Sequence, residues 1–456
     1  MRDRSYQART SALRARSEAR RARALPHVIL SRIKRLASTC YVISSQAARA
    51  ALGVLPWVLA SAAAAEEGAP AAMPALYGSY PMSREGSGTS WEPDATALPG
   101  LHQMGERWMT MEHGFATAVY DTQGGPRGAS ETFSTSMLMW MARRELPEGA
   151  LGLRLMLSGD PAMGARGYPL LFQTGETADG RTPLIDRQHP HDLLMEAALS
   201  YQHALGVARS LFVYAGLPGE PALGPDAFVH RASAQDNPEA PLAHHWLDST
   251  HITWGVATLG YVDGPVKLEM SGFNGREPDQ HRADVETRGF DSWSVRLAVN
   301  PTPLWSAQVS VGRLASPEQL APQVSVRRST ASVTYAAPLG LECSSMLAFG
   351  HNAPSQGAGS DAWLLESSLR LAPRLTVFAR LETVGKDELF APPDPAAAQL
   401  FHVTKLSAGY VFDFARLGEL RLGLGALLSA YRASAALDPA YGAHPHSSMV
   451  FLRVRL

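Results

Sequence analysis

The stretch Ala150–Gly159, "ALGLRLMLSG", places Leu151, Leu153, Leu155 and Leu157 on one side of an extended chain and Gly152, Arg154, Met156 and Ser158 on the other. Side chains alternate across a strand, so the stretch reads as a ribbon with one apolar and one polar face. The same rhythm returns in "DSWSVRLAVN" (Asp291–Asn300), "RLTVFARLE" (Arg374–Glu382) and "ELRLGLGALLSAY" (Glu419–Tyr431). About sixteen such segments run from 112–121 to 448–456, one of them set at 250–262.

The gaps between segments separate a soluble sandwich from a barrel in lipid. Short gaps such as "PEG" (147–149), "DG" (263–264), "PTP" (301–303), "APLG" (337–340) and "APR" (372–374) alternate with long ones. The long gaps are 159–192, 217–249, 275–290, 314–326, 351–361, 384–401 and 432–447. That alternation predicts an all-β, up-and-down antiparallel transmembrane barrel of about 16 strands. A closed sheet is the β structure that satisfies its backbone inside lipid. Its short turns would be periplasmic and its long loops extracellular. The final segment "SSMVFLRVRL" fits in alternation, but it ends on Leu456 where exported barrels usually end on an aromatic residue. A soluble all-β fold is the alternative reading.

Three regions follow. Residues 1–65 read as a basic leader and signal peptide, 66–110 as a periplasmic arm or plug, and 111–456 as the barrel. "AALGVLPWVLASAAAA" (Ala50–Ala65) is an apolar run ending in small residues, the pattern of an export signal. The Arg-rich front, Met1–Arg35, reads either as a nucleic-acid or membrane-binding arm or as an extended translation start. Residues 1–65 hold 12 of the 41 basic residues and 2 of the 42 acids, leaving 29 basic and 40 acidic residues in 66–456. An acidic body argues against nucleic-acid binding, which displaces counterions with a basic surface. Two cysteines, Cys40 and Cys343, on either side of the cleavage point provide no disulfide framework. The predicted location is the Gram-negative outer membrane, and the predicted partners are its lipid, the barrel assembly machinery, and small solutes or metal ions.

Four stretches carry a family resemblance: "YPLLFQTGETADGRTPLIDRQHPHD" (Tyr168–Asp192), "YAGLPGEPALGPDAFVHR" (Tyr214–Arg231), "NPEAPLAHHWLDSTHITWGV" (Asn237–Val256) and "GREPDQHR" (Gly275–Arg282). Over roughly 77–390 the chain resembles a poorly characterised family of proteobacterial, porin-like outer-membrane barrels. Its members tend to occur among heavy-metal, especially copper, resistance functions. The resemblance implies a location more than a mechanism.

Seven of the fifteen histidines fall between 189 and 251. In "DRQHPHD" (Asp186–Asp192), His189 and His191 share a face if the chain is extended. With Asp192, His244, His245 and His251 they form the candidate metal set, and Asp186, Glu196 and His230 are possible companions. Imidazole with carboxylate suits zinc, copper(II) or nickel, although the spacing matches no structural zinc module. The competing reading is hydrogen bonding that pins long loops in place. "HQMGERWMTMEH" offers His102, Met104, Met109, Met111 and His113, which could suit copper(I) or form a plain apolar strand. "SMLMWMARR" (Met137, Met139, Met141) reads as a packed or lipid-facing stripe. "DSTH" (Asp248–His251) puts Ser249 and His251 on one strand face, a weak hydrolase signal without a G-x-S-x-G elbow.

Charges on the polar strand faces, Arg154, Lys267, Glu269, Arg296, Arg380, Glu382, Arg421 and Arg453, together with Arg455, are expected to line the lumen. Mixed-sign lumen charge tunes the selectivity of a water-filled pore. The functional expectation is a porin-like channel or transport protein without enzymatic activity, linked to copper or zinc handling. The alternatives are a non-conducting metal-binding or structural barrel and, more remotely, a loop-based hydrolase.

Overall fold

A computed structural model of the chain describes residues 74–97, 99–337, 342–397 and 399–456. The leader, the signal segment, Cys40 and most of the "APLG" turn lie outside the described residues. Twenty strands are described: β1 Leu101–Met104, β2 Met109–Gln123, β3 Ser130–Phe133, β4 Ser136–Leu146, β5 Gly149–Leu157, β6 Tyr168–Thr177, β7 Pro183–Gln188, β8 Leu194–Ala204, β9 Arg209–Gly216 and β10 Val256–Asp263. They continue with β11 Val266–Phe273, β12 Ser292–Thr302, β13 Trp305–Leu314, β14 Val326–Ala337, β15 Cys343–Pro354, β16 Ser360–Ala372, β17 Leu375–Lys386, β18 Phe401–Leu417, β19 Leu420–Arg432 and β20 His446–Arg455.

Every wall strand pairs antiparallel with its neighbours, and β2 closes the sheet on β20 in a register running from Phe115↔Arg455 to Gln123↔Ser447. Strands β3 and β4 both pair with β2 and together act as one interrupted strand, so the wall has 16 strands. β1 is a short return on β2, and β6–β7 form a separate hairpin that leaves the wall. Tight turns such as Asp263–Val266 hold glycine at positive φ (Gly264, +55°), where a side chain would be strained. The segment expected at 250–262 begins later, at Val256. Ser249–His251 form a 3-10 turn, and Gly255 sits at φ +101° ahead of the strand.

Period-two patterning sorts the faces. Leu138, Leu199, Leu259, Leu268, Leu406, Leu428 and Leu452 are exposed on the outside, each more than half accessible. Exposed Tyr120, Trp293 and Trp363 lie toward the long-loop rim, and Tyr201, Tyr261 and Phe412 toward the short-turn rim. Aromatic residues at both ends of an apolar band mark the two interfaces of a membrane-spanning barrel. Met137, Met139 and Met141 face inward, correcting the lipid-facing reading. Leu138 occupies the outer face between the first two of them.

The interior is filled rather than open. Residues 74–97 run along the inner wall. Arg143 donates to Ala75 O (2.8 Å), Ser210 to Tyr77 O (2.6 Å) and Asn300 to Glu92 O (2.8 Å). The long connection 217–255 also folds inward. Arg231, with no measurable exposure, pairs with Asp248 (2.8 Å) and Glu366 (2.6 Å), and Glu366 also takes Arg380 (2.9 Å). Lys405 meets Glu239 (2.5 Å), and Arg453 meets Asp236. The β6–β7 hairpin is the third insert, with Asp186 held by Arg127 (3.4 Å) and Tyr441 (3.3 Å).

The strand charges expected to line a water column therefore lie inside but covered. Arg154 reaches Gly88 O, Lys267 reaches Thr89 O, and Arg296 binds Glu269 (2.9 Å) and Gly224 O (3.0 Å). Glu382 accepts from Ala243 N (3.0 Å). Arg421 and Arg455 are only partly covered, toward the short-turn rim. Buried charge is tolerated only when paired, and here the inserted segments supply partners alongside wall carboxylates such as Glu269 and Glu366.

Candidate metal centre

Two local features deliver imidazoles to the same place. At the end of β7, Pro190 lacks an N–H and cannot extend the ladder. The strand stops at Gln188, and His189 and His191 point into different parts of one buried cluster. In the 217–255 insert, a single helical turn (His244–Leu247) is followed by the Ser249–His251 turn. Asp248 accepts from His244 Nδ1 through one carboxylate oxygen (2.8 Å), and its main-chain oxygen lies 2.8 Å from His251 Nδ1.

The cluster has two halves. One nitrogen from each of His189, His244 and His245 lies within 4.8 Å of the others. The His189 and His245 rings stack at 6.1 Å and 8°. His191 sits instead beside His251 (5.2 Å between centroids), with its Nδ1 on Asp160 (2.8 Å). His244 joins the halves, 5.5 Å from His245 and 5.2 Å from His251. The expectation that His189 and His191 share one face is therefore replaced by a split around Pro190.

The nitrogen accounting defines the chemistry. His191, His244 and His251 each present Nδ1 to an oxygen acceptor, and His189 Nδ1 lies 3.3 Å from Pro190 O and 3.4 Å from Glu176. An acceptor at Nδ1 fixes the proton there and leaves Nε2 with a free lone pair. The Nε2 atoms of His189, His191, His245 and His251 are buried without a hydrogen-bond partner. An unsatisfied buried polar atom costs about 1–3 kcal/mol, so four together mark a place suited to taking up a polar partner.

Burial lowers the pKa of His189, His244, His245 and His251. Arg282 adds to the effect at His189, while Asp248 opposes it at His244. Neutral imidazole is the form that binds metal. Burial alone would raise the Asp248 carboxyl, but Arg231 and His244 hold it below its ordinary range, so it stays an acceptor. At Gly175 (φ +104°) an added Cβ would run into the His245 ring.

No protein-family model and no curated protein sequence matches the chain. Solved outer-membrane barrels do align with it. OmpT of Vibrio cholerae shares 7% identity over 78% of this chain and 100% of its own, with a TM-score of 0.45. An anion-selective porin from Comamonas acidovorans shares 13% over 76% and 100%, with a TM-score of 0.44. OprB of Pseudomonas putida shares 10% over 76% and 93%, with a TM-score of 0.47. At these values the likeness adds nothing to the strand pairing already described.

Several sequence candidates fall outside the cluster. Asp192 is occupied by Trp254 Nε1 (3.1 Å) and Arg282 (3.4 Å), and Glu196 by the Tyr214 hydroxyl (2.7 Å). Asp186 is taken up by Arg127 and Tyr441. His102 and Met104 are exposed on β1. The Ser249 hydroxyl is engaged by Glu277 (2.8 Å) and Arg328 (2.9 Å), not by His251, and neither residue lies on a strand. Asp160, Glu176 and Glu277 are neighbours of the cluster that the sequence did not single out. Glu277 lies 4.0 Å from His245 Nε2.

Proposed function

We propose that the protein is a porin-like outer-membrane transport barrel for a transition-metal ion of copper(II) or zinc type, closed at rest by its own inserted segments. The observation that carries this reading is the group of buried, unpartnered imidazole Nε2 atoms inside the lumen. Three imidazoles with nearby carboxylate suit zinc or copper(II), and the acceptors at Nδ1 orient such ligands. The filled interior favours binding and gated passage over free diffusion of solutes. The resemblance to barrels found among copper-resistance functions points the same way. His189, His244 and His245 would hold the ion, with His191 and His251 as the neighbouring half. Asp192 would act through Arg282 rather than as a ligand.

The test pairs elemental analysis with planar-bilayer conductance on protein purified in detergent. The reading predicts about one tightly retained Cu2+ or Zn2+ per chain, lost in His189→Ala/His245→Ala, and no steady open-pore current. A metal-free barrel with porin-sized, metal-indifferent current would replace it with an ordinary diffusion pore.

A further inference from the structure

A second cluster lies between the imidazoles and the short-turn rim. Met111, Met137, Met139 and Met141 are all nearly inaccessible and, with His113 and His230, line a cavity of about 70 Å³. Strand register explains the grouping. Met111 faces Met141 across β2–β4, His113 faces Met139, and Met139 faces Met156 across β4–β5. Directly opposed residues on adjacent strands have Cβ atoms roughly 5 Å apart, so His113, Met139 and Met156 form one row across three strands. His230, from the 217–255 insert, sits over this row with Nε2 at 3.0 Å from Met156 Sδ and its ring 5.3 Å from His113.

Methionine often fills irregular gaps in cores, and that role would account for sulfur alone. It does not account for two imidazoles facing the same cavity, or for Leu138 on the outer face while the inner positions of β4 carry methionine. The cavity also lies between two places. Phe115, Val229 and Gln235 border both it and a smaller cavity of about 30 Å³ that touches His189 and His191. Its other end reaches Arg455 and Leu456 at the short-turn rim. Both cavities exceed the roughly 10–15 Å³ that one water requires.

We infer that this methionine–histidine cavity is a second cation site, selective for soft monovalent d10 ions such as copper(I) or silver(I), on the route between the imidazole cluster and the periplasmic rim. Thioether sulfur selects copper(I)-like ions over zinc, whereas imidazole with carboxylate suits the divalent ions. The inference rests on the reading of the lumen as metal-handling, although the two sites use different residues and can fail separately.

The test titrates the purified barrel in detergent with Ag+ and, separately, with Zn2+, with folding checked by heat-modifiable migration in gels. Met139→Leu/Met141→Leu, which preserves volume, should weaken Ag+ binding at least tenfold and leave Zn2+ binding unchanged. His189→Ala/His245→Ala should show the reverse. Silver-edge absorption of the wild type should show sulfur neighbours that diminish in the leucine variant. Unchanged Ag+ affinity in that variant, or only nitrogen and oxygen neighbours in the wild type, would overturn the inference whatever the Zn2+ result.

Discussion

Arg231→Met is the sharpest perturbation of the closed state. Arg231 is wholly buried and ties three parts of the molecule together: Glu366 on the wall (2.6 Å), Asp248 beside the imidazoles (2.8 Å) and its own segment through Asp226 O (2.8 Å). Removing one partner of a buried pair typically costs about 3–5 kcal/mol, because the remaining charge is stranded. Glu366 would keep Arg380 at 2.9 Å, so the lower end, about 3 kcal/mol, applies. Asp248 would be left with His244 (2.8 Å) and the Phe228 backbone N–H (2.9 Å), neither of which replaces the lost cation. At about 1.4 kcal/mol per decade, the fraction of molecules with the 217–255 insert undocked should rise roughly a hundredfold. Native-state hydrogen exchange of amides 226–251 reads this directly. Their protection should fall by about two decades while the wall strands keep theirs, and Arg231→Met/Glu366→Gln should recover part of the loss. Unchanged protection in the single variant would refute the view that this ion-pair network holds the insert in place.

Other consequences are simpler to measure. Gly175→Ala should leave the barrel folded but weaken Zn2+ retention at least tenfold, because the new Cβ meets the His245 ring and the residue sits at φ +104°. Burial pushes Glu220 from 4.5 up to about 8, with Asp226 and Glu196 adding to the rise against Ser87 and Arg296. The folded state favours its neutral form, so stability falls as pH rises from about 4.5 through about 8. Glu220→Gln should raise the melting temperature at pH 9 and change little at pH 4. Leu259→Lys puts a charge on the lipid face midway along β10 and should destabilise folding by about 2–4 kcal/mol in bilayer refolding titrations, more than Leu268→Lys, whose strand partner Tyr261 lies toward the short-turn rim.

The wall was legible because each strand repeats its pattern locally. Alternation in 151–158 or 291–300 needs only neighbouring residues to be read, and the gap lengths then set the topology. The inserts were not legible in that way, since their partners lie far along the chain. Arg231 and Glu366 are 135 residues apart, and Asp236 and Arg453 are 217 apart. A signal was nonetheless present. Arg154, Lys405 and Arg453 on the walls meet Glu85, Glu239 and Asp236 in the inserted segments. That complementarity would have suggested a filled lumen rather than an aqueous one. In the site, the histidines were visible by density alone. Their division into two halves depends on Pro190 and on the tight turns around Asp248, which shift side chains off the extended geometry assumed from i, i+2 spacing. Asp160, Glu176 and Glu277 carry no local mark, because they reach the cluster from separated points of the 159–192 and 275–290 connections.

In the proposed function the lumen holds a metal ion on imidazole Nε2 atoms. Pulsed electron paramagnetic resonance of the Cu2+-loaded protein tests it most directly, because the remote Nδ1 of each coordinated imidazole modulates the echo. The account predicts a single stoichiometric copper with modulation from three imidazoles, reduced stepwise in His189→Ala and His189→Ala/His245→Ala. Copper that binds weakly, or through oxygen alone, would contradict it and leave the histidines as hydrogen-bonding residues in a filled barrel.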